Sequence, residues 1–119
     1  MQENLKDMLR QFGCEDVTQT SERFLDDEEF YLSVVSQMLE DSGFETLGQQ
    51  LKGTDVRAAF DTAHMLKGII ANCGITPMLK EIVQIVEPLR QGRMDNLLPS
   101  YERLLAQKDV LAKRLSALN

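Results

Sequence analysis

Apolar residues return every third or fourth position through most of this chain, and only seven Gly and three Pro interrupt its 119 residues. A helix turns by about 100° per residue and keeps one face apolar with this spacing, whereas a half-buried strand alternates every second residue. Phe30, Val34 and Met38 form one such stripe, with Tyr31 and Val35 beside it, and Ile82, Val83, Val86 and Leu89 form another. Near the C-terminus, Leu97, Tyr101, Leu104, Leu111, Leu115 and Leu118 follow a heptad interrupted by Lys108. The pattern predicts an all-α fold, and the length suits one domain, 1–119, with a single core.

Breakers and caps divide the chain. Two short amphipathic segments, Gln2 to Phe12 and Asp16 to Phe24, are separated by Gly13, and residues 1–25 are expected to cap one end of the fold. A helix from Asp27 to Glu40 has Asp26 or Asp27 as its N-cap, and Gly43 is expected to end it. Phe44 to Lys52 reads as a further short helix, with Gly53 as a left-handed C-cap and Thr54 capping the next helix, Asp55 to Cys73. Gly74 stops that helix, and Thr76-Pro77 supplies an N-cap and first helical residue. Pro88 is expected to free the carbonyl of Gln84 or bend the final turn, with Gly92 as terminator. The last helix runs from Asn96 or Leu97 to about Leu118. Short links force neighbouring helices antiparallel, so residues 27–118 are expected to form an up-down four-helix bundle.

Charge narrows the function classes. A formal net charge of -6 repels a phosphate backbone, and no basic run offsets it, so nucleic acid is not an expected partner. Met1 to Arg10 carries Glu3, Lys6, Asp7 and Arg10 instead of an apolar signal core, and no stretch approaches a membrane span. The expected location is the cytoplasm, with no membrane partner. Cys14 and Cys73 form no CxxC pair, and one His accompanies them, so zinc is not expected and both read as buried thiols.

That one histidine, His64, lies within the Asp55 to Cys73 helix. Helical angles put Ala59, Thr62, Ala63, Leu66, Ile70 and Cys73 on the side opposite His64, and Arg57, Phe60, Asp61, Lys67, Gly68 and Ala71 on its own side. His64 is therefore expected to point away from the core. Lys67 and Gly68, three and four positions on, are its nearest helical neighbours. A phosphoryl group on a ring nitrogen brings roughly two negative charges, which an adjacent ammonium offsets, and Gly68 and Ala71 leave it room. Glycine in mid-helix costs about 0.5 to 1 kcal/mol relative to alanine, so Gly68 calls for a reason, either packing against a neighbouring helix or close approach by another protein. An imidazole near neutral pH is in good part uncharged, so a ring nitrogen can attack phosphorus. No Ser-His-Asp set or metal cluster accompanies it, and a partner must supply the rest of an active site.

The string Ala63-His64-Met65-Leu66-Lys67-Gly68, followed by Ala71-Asn72-Cys73-Gly74, resembles the signature of histidine-containing phosphotransfer (HPt) domains. Leu79, Glu87 and the Arg90-x-Gly92 ending of the following helix also look like that family. The resemblance implies a phosphorelay of the two-component type. His64 would be the phosphoacceptor, with Lys67 and Gly68 bordering the phosphate. The partners would be response-regulator receiver domains and a hybrid sensor kinase. Mg²⁺ would belong to the receiver, so the chain itself would need no cofactor and no metal. It would be a carrier without turnover, not an enzyme, and a monomer. Phe60, Asp61, Met65 and Ala71, with Ile69 nearby, are candidates for the docking surface. Ile69 and Ile70 depart from the small residues common after the Lys-Gly pair, and Pro88 is a further departure. The alternative reading is a helical scaffold or binding module of the same fold that is never phosphorylated.

Overall fold

Three carboxylate or amide side chains set where helices begin in this protein. Asn4 accepts from the backbone N–H of Asp7, Asp27 from that of Phe30, and Asp55 from that of Ala58, each answering a donor that the first helical turn leaves unpaired. The structure, a computed structural model, describes residues 4–118, and no strand forms among them. The helices are α1 (Leu5–Phe12), α2 (Val17–Arg23), α3 (Glu28–Leu39), α4 (Gly43–Leu51), α5 (Val56–Cys73), α6 (Thr76–Arg90) and α7 (Leu98–Ser116). The expected start of the first segment at Gln2 lies outside the described residues.

Several boundaries differ from the sequence expectation, each for a local reason. Asp55 rather than Thr54 caps α5, because its carboxylate reaches the N–H of Ala58. The cap before α6 is Ile75, so Thr76 and Pro77 are the first and second helical residues, and the Thr76 hydroxyl instead accepts from Glu15 N at 2.9 Å. Gly43 does not end α3, which stops at Leu39. It opens α4 and is buried, and a Cβ there would lie 2.9 Å from Met65 Cε and 3.0 Å from Leu66 Cδ2. Gly53 is not a left-handed cap either, since Lys52 closes α4 in a right-handed conformation. Gly74 is left-handed at φ 70°, as its place after Cys73 predicts. Helix α6 runs through Pro88 to Arg90.

Helix α5 lies against α3, α4 and α6, and α7 lies against α6, α3 and α4. Ala59, Ala63, Leu66, Ile70 and Cys73 bury the inner face of α5. From α6 the core takes Met78, Ile82, Ile85, Val86 and Leu89, whereas Val83 is only half-buried. On α3 the buried row is Tyr31, Val35, Met38 and Leu39. Phe30 faces outward and meets Phe24 edge-on at 5.6 Å. Lys108, the break in the α7 heptad, sits with its ammonium 5.5 Å from the centre of the Phe44 ring, so a cation–π contact occupies the gap.

Helices α5 and α6 are antiparallel. Two residues join them, and Arg90 at the end of α6 lies over Phe60 in the first turns of α5. The N-terminal segment covers the turn between them. Glu15 reaches Thr76 and Lys80, and Arg23 donates to the carbonyl of Asn72 at 2.9 Å. From α3, the Tyr31 hydroxyl donates to Cys73 O at 2.8 Å. All of these contacts lie at the C-terminal end of α5, about 15 Å along the helix from His64 at about 1.5 Å per residue. The outer face at the middle of α5 stays open.

Candidate functional site

Because Ala59, Ala63, Leu66 and Ile70 fix the inner face of α5, the opposite face is fixed as well. His64 is exposed there, with Lys67 half-buried, Gly68 exposed and Ala71 half-buried further along the same side. These residues are spaced by three, four and seven positions from His64 and form one continuous strip. Among the described residues, His64 forms no hydrogen bond and Lys67 no ion pair. The Lys67 ammonium is thus available to an incoming anion.

Gly68 resolves one question that its place in the sequence leaves open. A Cβ built at this position meets nothing within 4 Å. No neighbouring helix therefore requires glycine there, in contrast to Gly43, against Met65 and Leu66, and Gly48, against the Tyr101 ring. Of the two reasons for a mid-helix glycine, packing against a neighbouring helix is absent among the described residues, and open space beside His64 is what the residue provides.

The imidazole has an aromatic neighbour. Phe60, one turn earlier, lies nearly parallel to the His64 ring, with centroids 5.5 Å apart and planes at 15°. The guanidinium of Arg90 stands 5.2 Å from the Phe60 ring centre, and Arg90 Nε donates to Glu87 Oε2 at 3.3 Å. Sequence reasoning places Phe60 on the His64 side but does not place Arg90 against it. The spacing of Phe60 four residues before His64 is a readable signal for the first contact. The second depends on how α5 and α6 slide past each other, which no local pattern fixes.

The remaining candidates divide. Asp61 is exposed and accepts from Arg57 Nε at 3.1 Å, so its charge is matched on its own helix. Met65 is 44% exposed, with its methyl end over the first turn of α4 beside Gly43. Ile69 is half-buried against the core and Ile70 fully buried. With Arg57 matched to Asp61 and Arg90 to Glu87, the unmatched charge beside His64 is the Lys67 cation, and the local balance favours an anion.

Chemically, the strip offers a nucleophilic ring edge and clear space on exposed positions, with one ammonium on a half-buried side chain beside them. Among the described residues no three of the His, Cys, Asp and Glu side chains come together to hold a metal. No described helix is long and apolar enough to cross a membrane. Comparison of the chain with protein-family models, with curated proteins and with solved structures finds no match in any of the three.

Proposed function

We propose that the protein is a histidine phosphotransfer module of the HPt type, and that His64 accepts a phosphoryl group from the aspartate of a receiver domain and passes it on. On this reading α3, α5, α6 and α7, the four longest helices, form the antiparallel four-helix bundle of that family, capped by α1 and α2. The module works in the cytoplasm, as a monomer, between a hybrid sensor kinase and response-regulator receiver domains. It is a carrier without turnover of its own.

The observation that carries the reading is Gly68. A residue that weakens its helix, has open space where a side chain would stand among the described residues and lies one turn beyond an exposed histidine is explained by the close approach of another protein's surface. Lys67 adds the charge that a transferred phosphoryl group needs. In the step itself, the in-plane lone pair of an unprotonated ring nitrogen forms an N–P bond as the O–P bond of the aspartyl phosphate breaks. The electron pair of that bond returns to the carboxylate, and the other ring nitrogen keeps its proton. The receiver supplies Mg²⁺ and the acidic pocket around it; this chain supplies the presented ring, Lys67 and the space at Gly68. Phe60, Asp61, Met65 and Ala71 lie within the surface that the receiver would cover.

A receiver domain carrying radiolabelled phosphate tests this directly. In Mg²⁺ it should transfer label to the wild-type chain as an acid-labile, alkali-stable adduct that His64→Gln does not form. Binding of receivers without any labelling would instead favour an unphosphorylated binding module.

A further inference from the structure

We infer that Phe60 is a positioning residue for His64, and that Arg90, tied to Glu87, holds Phe60 in place. This rests on the carrier reading of His64. On an open helix face an imidazole is free to rotate about its own side-chain bonds, and no hydrogen bond from a described residue restrains this one. The nearly parallel Phe60 ring at 5.5 Å does restrain it, through an offset aromatic stack. The kind of contact matters. The reacting lone pair lies in the plane of the imidazole, so a ring laid on its face limits rotation while leaving both nitrogens accessible. A hydrogen bond to a nitrogen would fix the ring by occupying the nucleophile or its partner atom.

Phe60 is itself held from two directions. It is half-buried against the core on one side, and the Arg90 guanidinium stands over its ring at 5.2 Å. Arg90 is oriented in turn by Glu87, three residues earlier on α6, at 3.3 Å. A chain of contacts thus runs from Glu87 through Arg90 and Phe60 to His64 and ties the reactive ring to a second helix. Transfer requires the ring nitrogen to meet phosphorus in line as the aspartyl O–P bond breaks, and a ring already turned outward loses less freedom on reaching that geometry. The guanidinium is engaged by both the Phe60 ring and Glu87, which leaves the Lys67 ammonium as the group facing the phosphoryl oxygens.

The chain has a single histidine, so its imidazole NMR signals are unambiguous. In the wild type the ring protons of His64 should be displaced by the Phe60 ring current. Phe60→Tyr should keep the displacement, Phe60→Leu should abolish it and the surface variant Arg90→Gln should reduce it. Transfer from a phosphorylated receiver should be near wild type in Phe60→Tyr, slower by roughly three- to tenfold in Phe60→Leu, and between the two in Arg90→Gln. His64 signals unchanged in Phe60→Leu, or equal transfer rates in a labelled wild type and Phe60→Leu, would overturn the positioning role alone. A wild type that shows the ring shift yet takes no label from any receiver would overturn the carrier reading, and the role of Phe60 with it.

Discussion

Gly68 and His64 stand one turn apart on α5 and make opposite demands on the same helix. As a phosphate carrier His64 would need α5 to be a firm platform, while Gly68 weakens that platform by removing a side chain that nothing among the described residues excludes. Replacing it separates stability from function. Gly68→Ala should leave the fold intact and raise stability by about 0.5 to 1 kcal/mol, read from the urea midpoint, because alanine is the better helix former and its Cβ meets open space. Gly68→Leu should still fold but slow transfer from a receiver by about tenfold or more, since its side chain fills the space beside the imidazole. A stability loss in Gly68→Ala would show that the glycine serves packing after all. At this scale much was legible in sequence: the three-to-four spacing alone separates Ala59, Ala63, Leu66 and Ile70 from His64, Lys67 and Gly68. The Arg90 contact was not, because it joins residues thirty positions apart.

Among the helices, the glycines show why boundaries were harder to read than the helices themselves. A glycine after an apolar stripe signals equally a terminator and a site of close approach, and only the neighbour decides between them. Gly43 lies under Met65 and Leu66 and so is a contact point at the start of α4. Gly74 and Gly92 are both left-handed, at φ 70° and 80°, yet their surroundings differ. A Cβ on Gly74 would come within 2.6 Å of Thr20 Oγ1, where α2 crosses the α5–α6 turn, whereas one on Gly92 meets nothing. Gly92→Ala should therefore cost only the backbone strain, about 1 kcal/mol, and Gly74→Ala distinctly more, about 2 to 4 kcal/mol. Denaturant midpoints of the two variants measure the difference. Equal losses would mean that α2 gives way freely. Phe30 shows the same limit: its stripe with Val34 and Met38 is genuinely helical, but only Met38 of the three is buried, in the row with Tyr31, Val35 and Leu39 that is turned to the core.

Across the whole molecule, two buried thiols link stability to pH. Burial pushes Cys14 from its ordinary 9.0 up to about 11, and Cys73 likewise up to about 11. Burial raises the Tyr31 phenol as well. Between those values the unfolded chain has released thiol protons that the folded chain still holds, so stability must fall as pH rises. It should be intact below about pH 8 and decline from about pH 9 to 11, by on the order of 2 kcal/mol per thiol. Melting temperatures across that range should show the decline, and Cys14→Ala together with Cys73→Ala should flatten most of it. Neither thiol lies on the His64 strip, so both variants should carry phosphate normally.

The central claim is that the open face of α5 carries phosphate on one atom of one residue. Intact-mass and fragment-ion analysis at alkaline pH, after mixing the chain with each phosphorylated receiver of its host, tests it most directly. One added phosphoryl group, localised to His64 and missing from His64→Gln, is the outcome required. A phosphoryl group on another residue, or none from any receiver, would contradict it.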